Sequence, residues 1–283
     1  MRRIELPRLG WRRDLPDPRD YSPMHEGVRD LLGALKRRRG KSEPPSQVDL
    51  CECVPAVPED ADPADSGAES CTALVASFEL RSTGRRLELA SPFLAHVARR
   101  LSDFDGEAAA DLRSTLKALV RFGVPPRAVW PAEDFANSAT VDPFFYGFAR
   151  EFAGIRYVRL DAAEATGSRV LGLVRAFLAA GFPIVFGCSL PNSLSAAGDL
   201  SFPTRYDAMR GGAALVAVGY DDDRRIRSSK GALRVRGVWG SGWGEAGFGW
   251  LPYRYLEERL AADFWTLLKP EWLASGEFAR PVC

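Results

Sequence analysis

The chain has 283 residues, 46% of them hydrophobic and 27% charged, with a net charge of +1. That length and composition suit a globular protein of one large domain or two lobes with ample core, and a near-neutral sum gives no global pull toward nucleic acid or a membrane surface. The opening MRRIELPRLGWRR lacks the apolar stretch of a secretory signal, and no run approaches the roughly 18 apolar residues that cross a bilayer. Five cysteines, an odd number in a chain too large to need stapling, point to reduced thiols and a cytoplasmic setting.

Charge is strongly local. Residues 1–41 carry twelve Lys/Arg against six Asp/Glu and end in the run Lys36 to Lys41, whereas residues 49–69 hold seven acids and no cation. The expectation is a solvated basic arm, residues 1–46, followed by an acidic, proline-rich loop. The Gly40-Lys41-Ser42 triplet is not a phosphate loop, because the earlier glycine and the preceding strand are missing. Nucleic-acid binding through Lys36–Lys41 is a weak reading, testable by its salt dependence.

From Ser70 the texture becomes helical. SCTALVASFELRSTG begins on a capping-type serine and stops at Gly84. SPFLAHVARRL (91–101) places Pro92 in a first turn. EAAADLRSTLKALVRFGVPP sets Leu112, Leu116 and Leu119 at helical spacing before Gly123 and Pro125. Residues 132–150 read as loop, and ATGSRVLGLVRAFLAAG (165–181) as a fourth helix. The last hundred residues change period: PIVFGCS, AALVAVGYD and ALRVRGVWG are strands, the middle one apolar throughout and therefore central. In LRVRG, Leu233, Val235 and Gly237 share one face and Arg234 and Arg236 the other. A short YRYLEERL helix and a DFWTLLK strand follow. A helical half before a strand-rich half is an α+β arrangement.

These pieces, in this order, resemble the papain family of cysteine peptidases in its bacterial short form. SCTA (70–73) is similar to that family's nucleophile turn, GGAALVAVGYDD (211–222) to the strand that carries its histidine, and VRGVWGSGWGEAGFGW to the stretch that carries its asparagine and a WG-x-x-WG doublet. The resemblance implies a two-lobe fold: a helical lobe over residues 47–150 with the cysteine at a helix N-terminus, and an antiparallel, barrel-like β lobe over 151–283. It makes Cys71 the nucleophile position. The base position is Ala213 and the orienting position Gly237, so both partners are replaced. The oxyanion glutamine is also missing, since the chain's one glutamine is Gln47 and Asp65 lies near the expected place.

Neither histidine is a ready substitute: His25 falls in the arm, and His96 on a helix that the family packs away from the β lobe. A carboxylate such as Asp207 or Asp221 would disfavour a thiolate. Loss of such groups costs roughly 10⁴–10⁶ in turnover. The expectation is therefore a catalytically inactive papain-like domain that binds a peptide or protein, or serves as a subunit of a larger assembly. The groove would lie beside Gly211, Gly212, Trp239 and Trp243. The alternative is an active cysteine peptidase or acyl transferase in which Cys71 uses a relocated base. Cys51-x-Cys53 alone is weak metal-ligand spacing, Cys188 reads as core, and Cys283 is terminal. No cofactor or metal is expected.

Overall fold

The computed structural model describes residues 10–15, 17–26, 28, 29, 33, 44–102, 109–130, 141–149, 155–162, 165–192 and 194–268. The Lys36–Lys41 run and Cys283 lie outside the described residues.

Strand β1 (Gln47–Asp49) is followed by short 3₁₀ turns at Cys51–Cys53 and Pro63–Asp65, after which the long helix α1 (Ser66–Thr83) begins. It starts four residues before the serine that the sequence suggested. The Asp62 carboxylate accepts the Ala64 N–H (2.8 Å) in the preceding turn, so that turn and α1 run on continuously from Pro63. Gly84, at φ 75°, ends α1 in the left-handed conformation that glycine adopts without steric cost. Helices α2 (Ser91–Leu101) and α3 (Leu112–Phe122) follow. Asp111 caps α3 by accepting the Ser114 N–H at 2.8 Å, and Gly123 follows its last turn. Within the stretch expected to be loop, the described part forms helix α4 (Pro143–Ala149), begun by Pro143 and by Asp142, whose carboxylate accepts the Phe144 N–H.

The second half contains β2 (Arg156–Arg159), α5 (Gly167–Ala179), β3 (Ile184–Pro191), β4 (Met209–Ile226), β5 (Ser229–Arg236), β6 (Phe248–Pro252), α6 (Arg254–Glu257) and β7 (Ala261–Leu268). Every pairing between these strands is antiparallel, in the order β2-β7-β3-β4-β5-β6, with β1 attached to β4. The apolar β4 is central, as its composition requires. The sheet is open rather than closed into a barrel.

Arg234 and Arg236 are buried like the apolar face of β5, because the 55–58 segment and the aromatic rings of Phe248 and Trp250 cover that side. Three of the seven acids of residues 49–69 pair within the folded body rather than with the basic arm. Asp60 pairs with Arg127, Asp65 with Arg99 and Glu69 with Arg236, all cations of the folded body.

Candidate active site

Cys71 is fully buried and is the sixth residue of α1. The early start of the helix thus places the sulfur in the second turn, away from the N-terminal N–H groups that stabilise a thiolate. Burial pushes the thiol pKa well up, and the Asp14 carboxylate pushes it the same way. Both influences oppose ionisation, whereas an activated cysteine needs cationic company.

The neighbouring strand edge is occupied. Strand β5 pairs with β4 only from Val216 onward, which leaves Gly212–Ala214 without a strand on that side. The chain's own N-terminal segment fills the gap: the Gly10 N–H donates to the Gly212 carbonyl at 2.9 Å. Ser66 completes the closure, its hydroxyl donating to the Gly10 carbonyl (2.7 Å) while accepting the Ala214 N–H (3.1 Å). Next to Gly10, the Trp11 ring lies on the sheet. A Cβ at Gly187 would stand 1.8 Å from the ring and one at Gly212 2.8 Å, so only bare glycines admit the indole. Its Nε1 donates to Asp263 at 3.1 Å. The arm expected to be solvated is therefore built into the fold at Gly10, Trp11 and Asp14, while Arg13 stays exposed. Apolar contact and edge pairing outweigh the charge around it.

Ala213 sits opposite Cys188 in the β3–β4 register and is buried, with no titratable group of its own. At Gly237 a Cβ would lie 2.6 Å from the Trp243 ring and 2.8 Å from that of Trp239. The two indoles, centroids 4.7 Å apart, close over the glycine. Trp243 is buried and its Nε1 donates to the Ser195 carbonyl. Of the anticipated groove residues, Gly212 is already bonded to Gly10, Trp243 is enclosed, and Gly211 and Trp239 are half-buried.

His25 is exposed and packs edge-on against Tyr21, 4.6 Å between centroids. His96 is half-buried on α2, its pKa lowered by burial and then by Arg100 and Arg99. Asp65 pairs with Arg99. Cys188 is buried in β3, and the Cys51 thiol is pushed up to about 12 by burial and then by Asp49. No three His, Cys, Asp or Glu side chains are placed to hold a metal ion among the described residues, and no helix among them is long and apolar enough to cross a membrane.

The sequence reading missed the charge cluster that anchors the arm. Arg159 contacts Asp263 (2.7 Å), Asp161 (3.1 Å), Asp20 (3.4 Å) and Asp14 (3.8 Å), and Arg113 binds Asp20 at 2.6 Å. Both guanidiniums stand over Trp265, at 5.1 and 5.7 Å. Asp14 accepts the Trp265 Nε1–H and the Arg113 N–H, and its own N–H donates to Asp263. A cavity of about 680 Å³ opens beside the cluster. The one visible signal was the Gly10-Trp11 pair inside a charged arm, together with the bare Gly187 and Gly212 in otherwise apolar strands.

Four carboxylates against two guanidiniums leave an excess of negative charge. Burial, followed by repulsion from Asp263, raises the Asp14 pKa to about 8. A carboxyl whose folded pKa is raised binds more protons folded than unfolded. Its stabilising contribution is complete below the ordinary carboxylate range and is lost as pH rises toward 8. Urea midpoints should therefore fall between pH 6 and pH 9, by at least about 1 kcal/mol in unfolding free energy. Asp14→Asn should flatten that slope, at a pH-independent cost of about 1 kcal/mol for the acceptor it gives up. A slope unchanged in the variant would exclude Asp14 as its source.

No model of a known protein family matches the sequence. A curated relative, an "uncharacterized peptidase C1-like protein" of Acanthamoeba polyphaga mimivirus, is 27% identical over 213 residues, 70% of this chain and 66% of that protein. The match thus spans just under two thirds of the relative's length. Among solved structures, xylellain, a cysteine protease from Xylella fastidiosa, superposes with a TM-score of 0.72 at 25% identity, covering 94% of this chain and 97% of that one. The digestive procathepsin L 3 of Tenebrio molitor larval midgut gives a TM-score of 0.54 at 16% identity over 82% and 72% of the two chains. Helices packed on an antiparallel sheet, with Cys71 in the long helix and this set of structural neighbours, make the chain a papain-like protein by fold.

Proposed function

We propose that this chain is a catalytically inactive papain-like protein that works as a structural or protein-binding subunit, its inter-lobe cleft held shut by its own N-terminal segment. The observation that carries this reading is the state of Cys71: fully buried, its ionisation opposed by burial and by Asp14, and matched with an alanine at 213 and a glycine at 237. A thiol attacks a carbonyl as thiolate and must reach it, and here both requirements fail together. An external peptide would have to displace Gly10 to bond the β4 edge, so partner binding through the outer surface fits better than binding in the cleft.

The test is direct. The purified chain should show no turnover on a panel of fluorogenic peptides and no adduct with an epoxide inhibitor directed at active-site thiols. Ala213→His combined with Gly237→Asn should stay inert. The asparagine must push two indoles aside, a change that costs about 1–3 kcal/mol, and Cys71 remains inaccessible. Cleavage that disappears in Cys71→Ala would establish the alternative, a working cysteine peptidase or acyl transferase with a relocated base.

A further inference from the structure

The contacts that pin the N-terminal segment to the body gather around one carboxyl. The Asp14 side chain has no exposed surface. From α3 it faces Asp111 and Arg113, from β2 Arg159, from β7 Asp263 and the Trp265 indole, and from α1 the Cys71 thiol. Both guanidiniums are committed elsewhere. Arg113 binds Asp20, and Arg159 binds Asp263 (2.7 Å) and Asp161 (3.1 Å), its Nη1 standing 3.8 Å from Asp14. Arg12, on the segment itself, binds Asp111 at 3.2 Å. Asp111 is held below the ordinary carboxylate range, against its own burial, by the Ser114 N–H and hydroxyl and by a side-chain bond from Asp14. A carboxyl donates such a bond only while it keeps its proton. Without that proton, Asp14, Asp111 and Asp263 would stand together as three carboxylates largely out of water.

We propose that Asp14 is a proton-controlled latch: protonated, it locks Gly10–Asp14 onto the sheet, and on losing its proton to solvent base it carries the segment out into water. Of the three carboxyls, Asp14 alone sits on a segment outside the helices and the sheet ladder. Asp111 is fixed as the cap of α3, and Asp263 lies within β7. Strands β3, β4 and β7 pair with one another without the segment. Asp20 and Tyr21 stay behind as a tether, Asp20 on Arg113 and Tyr21 through its carbonyl, which accepts the Arg159 N–H at 2.8 Å. Leu15, 81% exposed, lies between the two parts. Burial, then repulsion from Asp263 and Asp111, raises the Asp14 pKa in the closed form. In the open form the carboxyl returns to its ordinary range, so opening releases a proton and gains as pH rises. It bares the Gly212 carbonyl and the hollow over Gly187 and Gly212, whether or not Cys71 is inert.

Hydrogen exchange on the full chain, read by mass spectrometry from about pH 5.5 to about pH 8 and corrected for the intrinsic rate at each pH, tests the latch. The peptide over residues 10–15 should lose protection about tenfold per pH unit. At every pH it should also be less protected than β3, which is held by β4 and β7. Asp14→Asn, which cannot ionise, should abolish the fall. Asp111→Asn keeps a capping side chain on α3 and removes one repelling charge, so its fall should level off at a lower pH, and it serves as the readout if Asp14→Asn folds poorly. Three results would overturn the latch: a fall that persists in Asp14→Asn, a curve that Asp111→Asn leaves unchanged, or protection of residues 10–15 equal to that of β3 throughout, which would mean that the segment leaves only when the whole fold does.

Discussion

Trp11→Ala is expected to destabilise the protein by about 3–5 kcal/mol, the range for emptying a buried aromatic site. The residue is 8% exposed, lies within the core, and donates its indole N–H to Asp263. Its loss removes the packing of the ring on β3 and β4 and leaves a hollow bounded by two glycines. Gly187→Ala should cost about 1–3 kcal/mol or more by the opposite route, since its methyl would stand 1.8 Å from the same ring. The double variant provides the decisive reading. With the indole gone, the nearest atoms that the added methyl would meet are removed, so the two losses should be far from additive in urea unfolding. Additive losses would mean that Trp11 and Gly187 do not meet in solution.

Glu69→Ala should cost a similar 3–5 kcal/mol, because it leaves the buried Arg236 guanidinium without its counter-charge. Arg236 also holds the carbonyls of Pro55 and Ala56, so the segment leading into α1 should loosen with it. Glu69→Gln keeps an acceptor and should lose less. Replacing both partners with Leu and Met removes the uncompensated charge and should recover much of the stability lost in Glu69→Ala. Chemical denaturation of the four proteins checks the order. A Glu69→Ala variant within about 1 kcal/mol of the parent would show that the pair contributes no more than a surface bridge.

The elements legible in the chain were those whose signal is local. Leu112, Leu116 and Leu119 repeat at helical spacing within one turn or two, and Gly84 and Gly123 mark real ends. The central strand was legible because a strand buried on both faces must be apolar at every position. Helix α4 was not, since a seven-residue segment has little room for periodicity and its aromatic residues favour neither state strongly. The four-residue error at the start of α1 mattered most. Ser70 carries a capping side chain, but its hydroxyl donates to the Ala214 carbonyl across the interface, while Pro63 and Asp62 begin the turn that runs into the helix.

The positions Cys71, Ala213 and Gly237 could be named from the motifs. The enclosure around them could not, because its parts lie far apart: Trp11 and Asp263 are separated by 252 residues, Glu69 and Arg236 by 167. No window of sequence holds both members of either pair. What an arginine or an aspartate meets over such a distance is decided by topology, and topology is what the sheet order supplies.

The seam that Gly10 and Ser66 close on β4 also has a colloidal consequence. A version of the protein trimmed to start at residue 44 would leave the Gly212 carbonyl ready to accept from another molecule, beside a vacated apolar hollow. Such a shortened protein should self-associate in proportion to its concentration and scatter light where the parent stays clear, and adding back a synthetic peptide of residues 8–22 should restore clarity.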